Sequence, residues 1–159
     1  MGVHILQREQ RLPGAPAEVF AFFADARNLE AITPPWLGFR VLTPEPIAMR
    51  AGTRIRYELR VRRVPISWLT EIRLWEPPHR FLDAQLRGPY ALWEHTHSFS
   101  PAGDGATIMR DVVRYALALG PLGALAHRLV VRRDLEAIFD FRAQTVSALL
   151  AERGGRAGR

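Results

Sequence analysis

The stretch FLDAQLRGPYALWEHTHSFSPAGDGATIMRDVVRY, residues 81–115, decides the fold. Polar and apolar residues alternate through most of it, and the alternation breaks at Gly88-Pro89 and again at residues 101–105. A period of two is typical of strands buried on one face, and glycine and proline are typical of the turns between them. Because both connections are short, the stretch predicts three antiparallel strands.

One face of these three strands carries aromatic and titratable side chains. Strand by strand, they are Phe81, Asp83 and Gln85; Trp93, His95, His97 and Phe99; and Thr107, Met109, Asp111, Val113 and Tyr115. The opposite face of the middle strand carries small or charged residues that suit water. We therefore expect the aromatic and titratable face to point inward, toward whatever covers the sheet.

The positions of the two turns predict which residues meet across the strands. A turn centred on Gly88-Pro89 places Asp83 opposite His95. A turn centred near Gly103 places Asp111 opposite His95 from the other side. Facing side chains in a sheet are close enough to form hydrogen bonds. The pattern thus predicts an Asp83–His95–Asp111 row across the three strands.

The rest of the chain completes an α+β fold. Further strands are predicted at residues 3–12, 39–44, 53–63 and 66–75, and helices at residues 15–24, 28–32 and 122–152. The last helix repeats apolar residues at three-and-four spacing, so it needs a large surface to cover. We predict one domain, residues 1–152, in which a curved seven-stranded antiparallel sheet wraps around the long C-terminal helix, with two short helices after the first strand and a disordered Arg/Gly tail at residues 153–159.

Composition excludes several classes of protein. The chain has 159 residues, a formal net charge of +6 and no cysteine, and all 22 basic residues are arginine. Disulfides, thiolate nucleophiles, cysteine-based zinc sites and catalytic lysine are therefore excluded. Because the positive charge is spread along the chain, we expect no nucleic-acid partner. Without a membrane-length apolar run or a signal-peptide pattern, we expect no stable membrane insertion and a cytoplasmic location. The oligomeric state stays open.

Four segments carry a resemblance to a known superfamily. They are PAEVFAFFADARNLEAITPPW at residues 16–36, GTRIRYEL at 52–59, WEPPHRFLDAQLRGPYALWEHTHSF at 75–99, and GATIMRDVVRYAL at 105–117 with the helix after it. The chain resembles the START-like/Bet v 1-like superfamily of polyketide cyclases, dehydrases and lipid transport proteins, and within it the small single-domain bacterial members. The resemblance implies a helix-grip fold with an elongated apolar cavity between sheet and helix. It leaves the function generic, because lipid carriers, hormone receptors and cyclases share this fold.

The first functional hypothesis is binding of a small hydrophobic or lipid-like molecule in that cavity, with no cofactor. The predicted ligand-binding residues are Tyr57, Trp68, Phe81, Gln85, Trp93, His95, His97, Met109, Asp111, Tyr115 and Phe139. Two orientations are open for Arg142 on the last helix. If its side chain points inward, it would favour a carboxylate ligand; otherwise the side chain extends to solvent.

Three alternatives remain beside this hypothesis. A cyclase- or dehydratase-like enzyme would use His95, oriented by Asp111 and Asp83, as its acid/base. A purely structural cluster would only hold the strands in register. An interaction module would present Arg54, Arg56, Arg60 and Arg62 on the outer face of the sheet.

The sequence argues against a metal centre at the two histidines. His95, His97 and Asp111 could supply three ligands, but no residue suggests itself as an orienting partner for the imidazoles.

Overall fold

The structure, a computed structural model, describes residues 2–118 and 120–157. The strands are β1 His4–Pro13, β2 Arg40–Val41, β3 Arg54–Val61, β4 Val64–Glu76, β5 Arg80–Arg87, β6 Leu92–Pro101 and β7 Ala106–Ala116. The helices are α1 Pro16–Ala24, α2 Asn28–Ala31, α3 Gly120–Ala126 and α4 Arg132–Ala157, with a 3-10 turn at Pro35–Leu37 and a π-helical segment at His127–Val131. The strands form a single antiparallel sheet in the order β1-β7-β6-β5-β4-β3-β2. This is the predicted helix-grip architecture.

The β3–β4 hairpin is tighter than predicted. The alternation suggested a strand up to residue 63, but β3 ends at Val61 and pairs there with Val64. Arg62 and Arg63 between them have φ angles of 50° and 70°. Positive φ at both central residues is the geometry of a two-residue type I′ turn, whose twist matches that of the flanking strands.

A β-bulge in β4 changes which residues point inward. The alternation placed Trp68, Thr70, Ile72 and Leu74 on one face. The first three are buried, but the pairing with β5 shifts register between Ile72 and Leu74. A bulge adds one residue and reverses the alternation beyond it. Trp75 therefore packs against the core in place of Leu74, with its ring centroid 5.0 Å from that of Phe20.

The observed pairing of β6 with β7 differs from the predicted register by two residues. Ala102 donates its N–H to the carbonyl of Ala106, so Asp104 lies at the centre of the turn. Gly103 and Gly105 both have positive φ, which glycine adopts without steric cost. As a result Asp111 faces His97, not His95 as predicted.

The C-terminal helix is interrupted near its start and runs further than predicted. The pattern suggested one helix over residues 122–152, but the π-helical segment separates α3 from α4, and α4 continues to Ala157. Arg153, assigned from the sequence to a disordered tail, lies with its guanidinium 4.9 Å from the centre of the Phe22 ring and donates to the Asn28 side chain. These contacts dock the last turns of α4 onto α1 and α2. Residues 158 and 159 lie outside the described residues.

Two apolar clusters hold the helices against the sheet. The larger joins α1, the strands and the C-terminal half of α4, and consists of Leu12, Val19, Phe20, Phe22, Phe23, Ile32, Phe81, Phe99, Met109, Val146 and Leu150. The smaller consists of Val113, Tyr115, Leu135 and Phe139. The helix is therefore fixed at two places along its length. Among the described residues, no helix is both long enough and apolar enough to cross a membrane.

Leu12 tests the larger cluster, because its side chain is fully buried at the end of β1. We expect Leu12→Ala to lower the free energy of unfolding by about 2–5 kcal/mol, since it removes apolar contacts and leaves a cavity. Ile5→Ala on the same strand is the matched control, because Ile5 is 61% exposed. It should cost less than about 1 kcal/mol. Urea unfolding followed by circular dichroism measures both, and equal losses would contradict this packing.

Candidate functional site

A cavity of about 200 Å³ lies between the inner face of the sheet and the helices. Its lining is Phe23, Leu29, Thr33, Leu37, Phe39, Met49, Ile55, Tyr57, Leu59, Val61, Trp68, Thr70, Ile72, Phe81, Asp83, Pro89, Tyr90, Trp93, His95, His97, Leu135, Ile138, Phe139 and Arg142. Most of these side chains are apolar, and the charged or titratable groups among them are few: Asp83, His95, His97, Arg142 and the tyrosine hydroxyls. This composition is typical of small-molecule sites.

Five aromatic rings gather at one part of the lining, which we call the aromatic end: Phe39, Tyr57, Trp68, Tyr90 and Trp93. Tyr57 stacks on Trp68 with ring centroids 5.9 Å apart, and Trp93 meets Trp68 edge-on at 5.3 Å. Rings in such contacts hold one another in place. Burial raises the pKa of Tyr57, so its hydroxyl stays protonated. The aromatic end is thus a rigid, neutral surface suited to a planar or apolar group.

Four titratable side chains form a second feature, the His–Asp cluster: Asp83 on β5, His95 and His97 on β6, and Asp111 on β7. The predicted register of β5 and β6 is confirmed, since Asp83 pairs with His95 in the ladder. Nε2 of His95 lies 2.7 Å from Oδ1 of Asp111, and Nε2 of His97 lies 3.1 Å from Oδ2 of Asp83. Instead of one row, the four side chains form two His–Asp pairs, His95 with Asp111 and His97 with Asp83. The centroids of the two imidazole rings are 3.7 Å apart.

His95 and Asp111 are not directly opposite in the observed register, but they still make contact diagonally across β6 and β7. Neighbours offset by two residues across a sheet remain within reach of long side chains. Asp111 therefore meets both imidazoles, because Nδ1 of His97 also lies 3.0 Å from its Oδ1. That short distance does not have the direction of a hydrogen bond, and Nδ1 of His97 is a buried atom without a hydrogen-bond partner in the described part of the chain.

Burial and pairing set the charges in the His–Asp cluster. Burial would raise the pKa of Asp83 and Asp111, but the imidazoles outweigh it and hold both pKa values below the ordinary range. Burial and the neighbouring His97 lower the pKa of His95. Burial also disfavours the charged form of His97, yet Asp111 and Asp83 outweigh it and raise the pKa of His97. Both carboxylates are therefore ionised, and His97 holds a proton more tightly than His95.

Two residues of the cavity lining carry buried polar atoms without hydrogen-bond partners. Nε of Arg142 and Nε1 of Trp68 are buried and have no hydrogen-bond partner among the described residues. Both side chains line the cavity. The Arg142 guanidinium also lies 5.6 Å from the centre of the Phe23 ring. A buried donor without an acceptor is costly, so each is a position where a ligand oxygen would be stabilised.

Comparison with known proteins places the chain in a family. The model of the family described as polyketide cyclase / dehydrase and lipid transport matches residues 4–151. The chain belongs to this family. No curated protein sequence gives a significant match.

Solved structures agree with the fold of this family member. TTHA0849 from Thermus thermophilus is 23% identical, with a TM-score of 0.64 over 92% of this chain and 99% of the other. Norcoclaurine synthase from Thalictrum flavum, solved with dopamine and hydroxybenzaldehyde, is 12% identical, with a TM-score of 0.70 over 95% and 88%. A START superfamily protein from Mycobacterium smegmatis is 11% identical, with a TM-score of 0.66 over 94% and 98%. At these identities the likeness establishes the fold alone.

The cavity of this polyketide cyclase / dehydrase and lipid transport family member brings together most of the predicted site residues. Tyr57, Trp68, Phe81, Asp83, Trp93, His95, His97 and Phe139 all line it. Asp111 lies behind the two histidines, and Met109 and Tyr115 are buried in the two apolar clusters. Gln85 is engaged elsewhere, because its side-chain amide donates to the Tyr90 carbonyl and accepts from the Tyr90 N–H.

The prediction from the sequence left out Tyr90 and the parts of the wall that come from α2 and the 3-10 turn. Tyr90 follows the Gly88-Pro89 turn, where alternation no longer indicates which way a side chain points. Leu29 and Leu37 come from α2 and the 3-10 turn, and only the folded chain shows that these segments reach the cavity.

The outer face of the sheet is not uniformly basic. Arg54 pairs with Glu71 at 2.8 Å, and Arg62 sits in the β3–β4 turn, not in the strand. Arg56 and Arg60 are exposed beside Glu58, which pairs with Arg40. Acidic residues thus interrupt the basic row on which the interaction-module hypothesis depends.

Asp111 tests the His–Asp cluster as a buried ion-pair network. We expect Asp111→Ala to lower the free energy of unfolding by about 3–5 kcal/mol, because it leaves the buried imidazoles without their shared carboxylate. Asp104→Ala is the matched control, since Asp104 is exposed and, among the described residues, forms an ion pair with Arg11 alone, at the surface. Its loss should be below about 1 kcal/mol. If denaturant unfolding gave similar values for both variants, the cluster would contribute nothing beyond a surface pair.

Proposed function

We propose that this protein binds a compact, mostly apolar molecule that carries one acidic or strongly accepting oxygen group. The observation that carries the proposal is a pair of buried donors, Nε of Arg142 and Nε1 of Trp68, which have no hydrogen-bond partner among the described residues and belong to side chains of the cavity lining. A carboxylate, enolate or carbonyl oxygen would satisfy them. A charge-assisted hydrogen bond in a water-poor site is stronger than a neutral one.

The size of the cavity narrows the class of molecule. Its volume of about 200 Å³ is small, since typical small-molecule pockets measure about 300–1,000 Å³. This supports a ligand with one or two rings or one short chain over a lipid with two acyl chains. The rings of the aromatic end favour a ligand with planar rings over one with a short chain, because aromatic faces stack on one another.

The His–Asp cluster supports a fixed orientation for that ligand. Asp83, His95 and His97 present polar atoms to the cavity, while Phe81 stacks on His97 with ring centroids 4.2 Å apart. The negative charge of Asp83 would repel an acidic group, whereas Arg142 would attract one. The acidic group of the ligand therefore belongs beside the Arg142 and Trp68 donors, and its apolar body belongs against the other rings of the aromatic end.

A structural neighbour shows what kind of molecule this fold can hold. Norcoclaurine synthase from Thalictrum flavum shares the fold and was solved with dopamine and hydroxybenzaldehyde, which are single-ring molecules. The same architecture can therefore hold compact aromatic molecules.

Arg142 tests the proposal directly. The probes are 2-naphthoate and its neutral analogue 2-naphthalenemethanol, and binding is measured by isothermal titration calorimetry. Arg142→Met should weaken 2-naphthoate binding by about 10- to 100-fold, since it removes a charge-assisted hydrogen bond. The neutral probe should change little.

Arg133→Met is the matched control, because Arg133 is exposed on the same helix. It should leave both affinities unchanged. Equal weakening of the acid and the alcohol by Arg142→Met, or an equal effect of Arg133→Met, would overturn the role given to Arg142. No binding of either probe to the wild type would remove support for a compact aromatic ligand.

Filling the cavity tests the location of the site. Ile138 on α4 lines the cavity, so Ile138→Trp should occupy its volume and abolish binding of both probes. Ile108→Trp is the control, because Ile108 lies on β7 among the residues that alternate with the inward ones. Circular dichroism confirms that each variant is folded. A folded Ile138→Trp protein that still binds with wild-type affinity would place the ligand outside the cavity.

A further inference from the structure

The geometry points to a binding site for a divalent transition-metal ion such as Zn²⁺ at Asp83, His95 and His97, on the cavity wall. One ligand atom from each of these residues lies within 4.8 Å of the other two. This inference does not rest on the proposed small-molecule ligand, since the metal can be measured without it. It also replaces the ligand set that the sequence suggested, in which Asp111 was the third ligand.

The distances suit a tetrahedral ion after small side-chain movements. Oδ2 of Asp83 lies 3.1 Å from Nε2 of His97 and 3.9 Å from Nδ1 of His95. Ligand atoms bound at the usual zinc distances are about 3.3 Å apart in a tetrahedron. The observed distances lie on either side of that value. Imidazole and carboxylate ligands are also the types that zinc accepts in proteins.

Asp111 supplies the orienting contact that the sequence did not reveal. Its Oδ1 lies 2.7 Å from Nε2 of His95 and 3.0 Å from Nδ1 of His97. These are the ring nitrogens opposite the two that approach Asp83. A carboxylate that accepts the N–H on the far side of a histidine fixes the tautomer that leaves the near nitrogen free to bind a metal. One residue thus orients both imidazoles toward the same point.

The unpartnered atom of His97 agrees with this arrangement. Nδ1 of His97 is buried and close to Asp111, but it is not aligned for a hydrogen bond. If Nε2 of His97 turned from Asp83 toward a shared ion, a small rotation of the ring could bring Nδ1–H into line with Asp111. Occupation by a metal would then satisfy a donor that otherwise has no hydrogen-bond partner in the described part of the chain.

The charge balance also favours a doubly charged cation. The side chains of Asp83 and Asp111 are only 16% and 8% exposed, and within the described residues their ion pairs are all to histidine. Two largely buried carboxylates need compensating positive charge. One divalent ion would neutralise both while leaving the imidazoles uncharged.

The remaining coordination position would face the cavity. Asp83, His95 and His97 line the cavity, whereas Asp111 does not. Three protein ligands and one open position describe a catalytic-type site, where an ion can polarise a carbonyl or bind a water molecule.

Metal titration of tag-free protein tests the inference. Chelator-treated wild-type protein should take up one equivalent of Zn²⁺ in isothermal titration calorimetry. Co²⁺ should give the intense visible absorption of a tetrahedral site, and Zn²⁺ should displace it. Asp83→Asn, which preserves the shape of the side chain, should abolish this spectrum. Asp111→Asn should weaken Zn²⁺ affinity by about 10- to 100-fold, because it alters only the orienting contact.

His79→Ala is the matched control, because His79 is exposed in the β4–β5 turn. It should leave the affinity and the spectrum unchanged. If wild-type protein takes up no Zn²⁺ or Co²⁺, the inference of a metal site is wrong. The positive charge that pairs with the two carboxylates is then a proton on His97. The same conclusion follows if folded Asp83→Asn binds as wild type does, or if His79→Ala removes the binding. Elemental analysis of the protein as purified provides a second readout that needs no ligand.

Discussion

Two carboxylates and two imidazoles are buried together across three neighbouring strands, and much of the inner surface of the sheet depends on that arrangement. A charged group in an apolar interior is tolerated only when it is paired. Asp83, His95, His97 and Asp111 meet that requirement only in the observed register of β5, β6 and β7. A slip of one residue in β6 would send both histidines to the outer face. The polar cluster therefore helps select one pairing of the central strands.

The cavity follows from how the helix is attached to the sheet. The larger apolar cluster holds the C-terminal half of α4, and the smaller cluster holds the region around Leu135 and Phe139. Arg142 lies on the same helix face between Phe139 and Val146, at three-and-four spacing. In the structure the arginine between these two buried anchors turns inward, and its long side chain forms part of the cavity wall.

The inner surface combines features that favour a selective site. A rigid aromatic surface, an arginine and a His–Asp cluster line one small cavity. An apolar wall alone would bind many molecules of suitable size, because apolar burial has little directionality. Buried polar groups add selectivity, since a ligand that leaves them unpaired loses free energy. Family membership is compatible with transport, sensing or catalysis, so these particular residues must distinguish among them.

The sequence by itself determined the order of strands and helices, the antiparallel pairing, the inward face of β6 and the pairing of Asp83 with His95. These properties are local: side-chain alternation and short turns reveal them. It did not determine the β4 bulge that brings Trp75 inward, the register of β6 with β7 set by the turn at Gly103 and Gly105, or the hydrogen bonds between Gln85 and Tyr90. A bulge or a turn centre depends on how neighbouring strands twist against each other. Only the tertiary structure decided that Asp111 lies behind both histidines and that Arg142 enters the cavity, because those contacts join residues from separate strands and helices.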